Sequence, residues 1–256
     1  MSLSVTKVYN EIKNEKKFQE YLDGLLLGDG CISLSKREGR LPCFKLTVRS
    51  ASTEWGNKVR TDITDFGLKC YIYGPYNRDE ISTVSETHPF FQKMRKRWYA
   101  EGKKRVPYDL VINPTVLGDW CLGDGKLDRD DIITIFTEAF QFKEVKYLSN
   151  LLNSAIGILS FVRENEVGNP VIKVRACETS DFLAYIPEEY RLKCFKYKFS
   201  VKGNHKRMKW LSLEDELLRN EYGKIPASII SNKLKRSLSS IYHRANRLGL
   251  KGYGRS

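Results

Sequence analysis

Two acidic residues stand in the same short motif at two places in this 256-residue chain. Asp29 and Asp124 each occur within Leu-Gly-Asp-Gly, at 27–30 and 122–125, and lie 95 residues apart. An apolar run of helical character leads into the motif both times. Carboxylate oxygens are the ligands that hard divalent cations prefer. The duplication therefore predicts a pseudo-symmetric site in which two carboxylates meet around a metal ion.

The residues after the first motif predict the elements that position Asp29. An alternating strand covers 44–49, with Lys45, Thr47 and Arg49 on one face and apolar residues on the other. Further elements are predicted as a helix, a hairpin and a helix, at 53–66, 71–84 and 89–100. The predicted order is helix, two strands, helix, two strands, helix.

The same order follows the second motif. The predicted elements are a strand at 132–137, a helix at 143–156 ended by Gly157, a hairpin of 158–162 with 171–177, and closing segments at 179–185 and 187–199. Lys173 and Arg175 share one face of the last strand. We predict an α+β fold with two αββαββα repeats, at residues 1–113 and 114–200.

The last quarter of the chain has a helical pattern of its own. A polar, basic linker is predicted at 201–209, followed by helices at 212–222, 226–234 and 237–248. Ser212 and Asp215 fit a capping box at the first of these helices. Apolar residues form one stripe of the third helix. Residues 210–256 are therefore predicted to form a small all-α unit.

Positive charge is concentrated in this last quarter. Residues 1–189 contain 27 basic and 27 acidic residues, whereas residues 190–256 contain 17 basic and 4 acidic residues, which accounts for the net charge of +13. Such a field favours a polyanionic partner, either nucleic acid or an anionic membrane. Nucleic acid is favoured because the basic segment also has an apolar helical period.

Composition argues against several other classes of protein. The 41% hydrophobic content supports a folded core, and no apolar run approaches the ~20 residues that span a bilayer. Residues 1–14 are polar and lack a signal-peptide core, so we expect an intracellular protein. The six cysteines form no C-x-x-C pair, which favours reduced thiols over structural zinc.

Residues 22–30, Leu-Asp-Gly-Leu-Leu-Leu-Gly-Asp-Gly, resemble the signature of the LAGLIDADG homing endonucleases. Residues 117–125 resemble a second, more divergent copy, and the closing segments around Trp98 and Lys198 are similar to those of monomeric two-repeat members. This resemblance covers residues 15–200. It implies a pseudo-symmetric DNA-binding saddle within one active monomer. Residues 210–250 separately resemble a Myb-like helix-turn-helix module.

The resemblance implies a site-specific double-strand DNA endonuclease that cuts a long site and leaves short 3′ overhangs. Asp29 and Asp124 are the implied metal ligands and catalytic residues, together with the backbone of Gly28 and Gly123. Gly24 and Gly28 share a helix face, so two such helices can pack closely and bring their partly negative ends together. The implied cofactor is Mg²⁺, and Mn²⁺ or Ca²⁺ can substitute in binding.

Further catalytic residues follow from the same resemblance. Lys103, Lys104 and Lys198 match basic positions near the scissile phosphates, where a lysine either stabilises developing charge or contacts only the DNA backbone. Glu138 matches a polar, water-orienting residue after the first core strand. The match in the first repeat falls at residues 50–51 and is weaker. Unequal half-sites lead to the hypothesis that the two DNA strands are cut sequentially or with a strand bias.

DNA contacts are expected from the sheets, the lysines and the last helix. The implied DNA-binding residues are Lys45, Thr47, Arg49 and Lys103 in the first repeat, Lys173 and Arg175 in the second, and Arg244 and Arg247 in the C-terminal module. The second motif departs from the first at Asp119, which stands where the first has Gly24. A carboxylate in a close helix interface costs free energy unless it is hydrogen-bonded, so looser or more polar packing is expected there.

Two other functions fit the same scaffold. A non-enzymatic DNA-binding regulator can combine a similar fold with a helix-turn-helix, but such a protein has no need of both acidic residues. An intron maturase binds RNA on this scaffold, with or without DNA cleavage, although the C-terminal module favours duplex DNA. The endonuclease is the favoured function.

Overall fold

The computed structural model describes residues 9–34, 40–76, 79–201, 210–234, 236 and 238–250. The chain divides into two units, Met1–Lys206 and Arg207–Ser256. The larger unit holds both copies of the acidic motif. Apart from Val201, the predicted linker at 201–209 lies outside the described residues.

The first repeat has the predicted order of elements. It consists of α1 (Glu15–Leu27), β1 (Gly30–Ser33), β2 (Cys43–Arg49), α2 (Thr53–Asp65), β3 (Cys70–Tyr76), β4 (Glu80–Ser85) and α3 (Pro89–Trp98). The strands form an antiparallel sheet in the order β1-β2-β4-β3. The predicted alternation in β2 is confirmed, because Phe44, Leu46 and Val48 are buried while the intervening side chains are more exposed.

A short hairpin, β5 (Tyr99–Ala100) and β6 (Lys103–Lys104), connects the first repeat to the second. The second repeat consists of α4 (Pro114–Asp124), β7 (Gly125–Leu127), β8 (Ile133–Phe136), α5 (Phe142–Ile156), β9 (Ser160–Glu164), β10 (Pro170–Val174) and α6 (Ala176–Tyr185). Its sheet has the matching order β7-β8-β10-β9. Each repeat is therefore an αββαββα unit, as predicted.

Local sequence signals define the ends of the helices. The Asn14 side chain accepts a hydrogen bond from the Lys17 amide at 3.1 Å and begins α1. Asn113 caps α4 in the same way through the Val116 amide, and Pro114 occupies the first turn, where its missing N–H costs nothing. Gly157 ends α5 with φ of 74°, a conformation that favours glycine.

One hydrophobic core serves both repeats. It includes Trp55 under the first sheet, Trp98 at the end of α3 and Trp120 in α4, all of them fully buried. None of the six cysteines forms a disulfide. Within the described ranges, no helix is both long and apolar enough to cross a membrane.

Two predicted boundaries in this unit are wrong. The helix predicted to end at Ala100 ends at Trp98, because Tyr99 and Ala100 pair with Lys104 and Lys103 in the hairpin. The strand predicted over 171–177 ends at Val174. The carbonyl of Arg175 accepts the Glu178 amide at 2.8 Å, which begins α6 instead.

The smaller unit contains α7 (Ser212–Glu221), α8 (Ala227–Leu234) and α9 (Leu238–Arg247) around Leu218, Ile230 and Ile241. The predicted capping box is shifted by one residue. The Leu211 amide donates to the Glu214 carboxylate at 2.7 Å, so Leu211 and Glu214 take the places predicted for Ser212 and Asp215.

Candidate active site

The two acidic motifs meet where α1 and α4 pack against each other. A side-chain carbon added to Gly24 would lie 2.7 Å from the Val116 carbonyl oxygen, and one added to Gly28 would lie 3.3 Å from the Gly123 Cα. One added to Gly123 would lie 3.1 Å from the Asp29 amide nitrogen. Glycines therefore allow the helix backbones to touch, and this contact brings the two aspartates to the same place.

The two carboxylates are in unequal environments. Desolvation raises the pKa of Asp124 to about 7, with Asp29 and Glu138 adding to the rise and Lys104 and Lys198 opposing it. Partial desolvation also raises the pKa of Asp29, which the two lysine ammonium groups lower. Asp29 is accessible to solvent, whereas Asp124 is half-buried. The two carboxylates repel each other, and the two lysine ammonium groups partly offset that repulsion. A cation bound by both carboxylates would offset it further.

Lys104 lies at the end of α1. Its Nζ donates to the carbonyl oxygens of Gly28 at 3.1 Å and Gly30 at 3.0 Å. Desolvation lowers the pKa of Lys104, while Asp124 and Asp29 raise it. A lysine ammonium has three N–H donors. These contacts use two of them, so one donor remains to reach a group bound at the site.

Lys198 lies at the end of α4 and is more deeply buried. Its Nζ donates to three carbonyl oxygens, those of Cys121 at 3.2 Å, Leu122 at 2.5 Å and Gly123 at 3.1 Å. All three donors are therefore used within the protein. A cation in this position hydrogen-bonds carbonyls of the last helical turn and stabilises the negative end of the helix.

Glu138 lies beside Asp124 at the edge of an open pocket. The pocket has a volume of about 410 Å³ and is lined by Gly123, Asp124, Gly125, Lys126, Phe136, Glu138, Tyr197 and Lys198. The Glu138 Oε1 accepts a hydrogen bond from Asn165 Nδ2 at 3.1 Å. The structure thus brings together the predicted pair Asp124 and Glu138.

Strand register identifies the first-repeat counterpart of Glu138. Leu46 is opposite Gly30, and Ile135 is opposite Gly125, so these pairs correspond. Three residues further along each chain stand Arg49 and Glu138. The family resemblance predicts the counterpart at residues 50–51, but the strand register places it at Arg49. An arginine and a glutamate therefore occupy matching places in the two repeats.

The predicted strand residues lie on the sheet faces where the site opens. Lys45 and Thr47 are half-buried and Arg49 is exposed, and Thr47 hydrogen-bonds to Ser82 at 3.0 Å. Lys173 lies opposite Thr134, which is paired in turn with the pocket residue Lys126. Arg175 follows the end of β10. Lys103 is exposed on the short hairpin.

The sheet faces also contain aromatic and basic residues that the sequence did not predict as part of the site. The rings of Tyr71 and Tyr73 lie 6.4 Å apart on β3, and each residue is 47% exposed. In the second repeat the guanidinium groups of Arg163 and Arg175 lie 5.3 and 5.5 Å from the Phe161 ring centroid. The alternation of Ser160–Glu164 could have placed Phe161 and Arg163 on one face.

Asp119 lies in the interface between α1 and α4, against Gly24. It is fully buried, and the Tyr190 hydroxyl donates to its Oδ2 at 3.3 Å, whereas its Oδ1 has no hydrogen-bond partner. Burial raises the pKa of Asp119 well above its ordinary value. Looser or more polar packing is expected from the sequence at this position, and the contact between α1 and α4 is close and polar.

In the smaller unit, the two predicted arginines of α9 have different surroundings. Arg244 forms an ion pair with Asp215, with 2.7 Å between Arg244 Nε and Asp215 Oδ1, and lies near the Trp210 ring. Arg247 is exposed, as is the adjacent Asn246. Arg247 is thus available to a partner, whereas Arg244 also holds α9 against α7.

The carboxylates fit a divalent cation with open coordination positions. No group of three or more His, Cys, Asp or Glu side chains that could hold a metal occurs among the described residues. Mg²⁺ is commonly bound through one or two carboxylates and keeps water or phosphate oxygens as its other ligands, which two aspartates can match. The carbonyls of Gly28 and Gly123 already accept from Lys104 and Lys198. Their predicted role as metal ligands depends on their second lone pairs.

The repeated αββαββα fold and the paired acidic helix ends define the class of this protein. Residues 19–182 match the LAGLIDADG DNA endonuclease family, and the chain belongs to that family.

Individual relatives are more distant. The chain is 33% identical over 148 residues to an uncharacterized protein of Methanocaldococcus jannaschii, a match of 54% of this chain and 56% of that protein. It therefore spans little more than half of that relative's length. It is 26% identical over 205 residues to the cytochrome b mRNA maturase bI2 of Debaryomyces hansenii, a match of 75% of each.

A solved structure has a similar fold. The homing endonuclease I-WcaI, bound to its DNA recognition sequence, gives a TM-score of 0.59 at 20% identity, with 76% of this chain and 90% of that chain covered.

Proposed function

We propose that this protein is a site-specific, divalent-metal-dependent endonuclease that cuts both strands of duplex DNA. The observation that carries the proposal is the contact between the two motif helices, which brings Asp29 and Asp124 together beside two lysine ammonium groups. Family membership supports it. A binding-only protein has no need of this costly cluster of buried and half-buried charges.

Asp29 and Asp124 would hold Mg²⁺, which when bound activates water and stabilises charge on phosphate oxygens. The free donor of Lys104 stabilises negative charge that develops on the scissile phosphate. Glu138, held by Asn165, orients a water molecule or accepts its proton. Lys198 holds the α4 end in place and contacts no substrate. The expected products have short 3′ overhangs.

One chain carries both halves of the site, so the active form is a monomer. The two sheets bind the two halves of a long DNA target through their exposed faces, including Lys45, Thr47, Arg49 and Lys173. The basic smaller unit adds a helix-turn-helix contact through Arg247. Removal of residues 201–256 is expected to flatten the salt dependence of DNA affinity, because fewer counterions are released. An unchanged slope of log affinity against log salt contradicts that role.

The function is tested by selection followed by cleavage. The full-length protein selects binding sites from a random duplex library in Ca²⁺, and the selected duplexes are then labelled on each strand and incubated with Mg²⁺, Mn²⁺ or EDTA. Cleavage of both strands in Mg²⁺ or Mn²⁺, absent in EDTA, is the expected result. Tight specific binding without cleavage in any of these metals would overturn the proposal.

A second candidate is an intron maturase, favoured by the similarity to maturase bI2 over three quarters of the chain. It differs from the endonuclease in substrate. A maturase binds its structured intron RNA more tightly than a DNA duplex of the same length and accelerates splicing. Equal affinity for unrelated RNAs, together with no acceleration, excludes this candidate.

A further inference from the structure

Two rows of residues correspond between the sheets. On the first sheet, register joins Cys31, Lys45, Val84 and Tyr71 across four strands. On the second sheet it joins Lys126, Thr134, Lys173 and Phe161. Each row begins two residues after a motif aspartate. Tyr71 and Phe161 therefore occupy matching positions, and so do Tyr73 and Arg163, two residues further along.

The matching positions differ in chemistry. The first repeat presents two exposed tyrosine rings, whose hydroxyls are single donors or acceptors. The second repeat presents two guanidinium groups around one half-buried ring, at 5.3 Å for Arg163 and 5.5 Å for Arg175. Both distances lie within the range of cation–π attraction. The ring thus restricts two side chains that would otherwise be mobile.

The guanidinium groups are available to a partner. Among the residues that the structure describes, neither Arg163 nor Arg175 forms an ion pair with a carboxylate, whereas Arg97, Arg236 and Arg244 all do. Arg163 lies on the sheet face that carries the pocket residues Lys126 and Phe136, since it pairs across the sheet with Val171 and Phe136 in turn. The pocket that contains Asp124 lies on this face of the sheet.

We propose that Arg163 and Arg175, held by the Phe161 ring, read guanines in the half of the target that the second repeat binds. An arginine fork matches the O6 and N7 acceptors of guanine in the major groove. Prior restriction by the ring lowers the conformational entropy lost on binding. The tyrosines at the matching places of the first repeat cannot form this two-bond pair. The proposal rests on the proposed DNA-binding function and specifies its substrate.

The test compares base preferences of variants selected on a random duplex library in Ca²⁺. The wild-type protein is expected to select guanine at two or more positions in one half of the target. Arg163→Ala and Arg175→Ala should each abolish the preference at a different position, by roughly 5- to 150-fold per site. Arg163→Lys retains the charge but lacks the fork, so it should lose the same preference as Arg163→Ala.

Two further variants separate reading from charge and from folding. Lys146→Ala removes one exposed charge from α5, the helix on the opposite side of the second sheet, and should leave every base preference unchanged. Phe161→Leu keeps both arginines but removes the ring, and should weaken both guanine preferences together. Thermal melting of each variant, with a midpoint near that of the wild type, shows that the fold is retained.

Guanine preferences that persist in both alanine variants, or a wild-type target without guanine in either half, would overturn the proposal. Failure of the endonuclease function looks different, since the site would then be selected with its guanines but not cut in Mg²⁺. Cutting at a selected site that shows no guanine preference in either half would overturn the reading proposal and leave the endonuclease proposal intact.

Discussion

Lys104 and Lys198 follow the two acidic motifs at corresponding ends of α1 and α4, yet their surroundings differ. Lys198 is 6% exposed and gives all three donors to carbonyl oxygens of its own helix end. Lys104 is more accessible and gives two. The same residue type at matched positions thus makes different contacts, and only Lys104 keeps a donor for the role in the reaction that we propose for it.

The two repeats also divide their acidic residues differently. At one place in the helix interface the first repeat has Gly24 and the second has Asp119. At matching places near the end of the second strand, the first repeat has Arg49 and the second has Glu138. The backbone symmetry of the fold therefore does not extend to the chemistry, and each half-site is expected to behave differently.

The contrast between the lysines predicts the largest effects. Lys104→Met should slow cleavage by about 100- to 1000-fold through loss of charge stabilisation, with little change in the free energy of unfolding. Lys198→Met removes hydrogen bonds to three carbonyls at the end of α4 and should lower that free energy by about 3 kcal/mol or more. Urea unfolding and single-turnover cleavage measure the two quantities. Equal destabilisation by both substitutions would show that the two lysines contribute equally to stability, contrary to this prediction.

The next prediction concerns helix packing. Gly24→Ala places a carbon 2.7 Å from the Val116 carbonyl oxygen and 2.9 Å from its Cα. Backbone cannot move aside easily, so a loss of about 3 kcal/mol in unfolding free energy is expected. Gly56→Ala, a control within α2, places a carbon 3.0 Å from Ile81 Cδ1 and Thr83 Oγ1 and should cost less, because the ends of side chains can shift. The order of the two urea midpoints decides this prediction.

The third prediction concerns the different residues, Arg49 and Glu138, at matching places in the two repeats. Glu138→Arg gives the second repeat the residue of the first and should slow cleavage by about 100-fold, with one strand affected more than the other. Arg49→Ala, its control, removes the matching side chain of the first repeat. It should slow cleavage less on the DNA strand that Glu138→Arg affects more. The rates are followed with a label on each strand in turn. Equal slowing of both strands by Glu138→Arg would show that the half-sites are equivalent.

The smallest effect is expected at Asp119. Its folded-state pKa is raised by burial above the ordinary value of 3.8, with Asp62 and Glu189 adding to the rise and Lys58 and the Tyr190 hydrogen bond opposing it. The unfolded chain releases this proton at lower pH than the folded chain does. Stability is therefore lost as pH rises above the ordinary value.

Asp119→Asn removes that titration, so it should stabilise the protein by about 1 kcal/mol at neutral pH and by almost nothing at about pH 4. Urea unfolding of both proteins at the two pH values measures the difference. A substitution effect that does not change with pH would show that Asp119 is ionised in the folded protein.

The order of elements was predictable because each repeat carries strong local signals. The alternation in β2, the caps at Asn14 and Asn113 and the final Gly157 act within a few residues of chain. Boundaries at Trp98 and Val174 were missed because they depend on pairing in the hairpin and on backbone contacts of α6. Propensity in short windows does not contain those interactions.

Site residues show the same division. Asp29, Asp124 and Glu138 follow from repeated motifs and the family resemblance. The different contacts of the two lysines do not, because they depend on which carbonyls lie within reach of each ammonium. The correspondence of Arg49 with Glu138 needed the strand register. The cluster of Arg163 and Arg175 around Phe161 joins two strands and becomes visible only when they pair.

In the proposed function, the ends of α1 and α4 form one hydrolytic centre for DNA. The most direct test measures single-turnover cleavage of each labelled strand of the selected target in Mg²⁺ by the wild type, Asp29→Asn and Asp124→Asn. Near-isosteric asparagines keep the volume but remove the charge that attracts the cation. We expect that the wild type cuts both strands and that each variant binds the target but cuts at least one strand over 100-fold more slowly. Unchanged cleavage in both variants would contradict it.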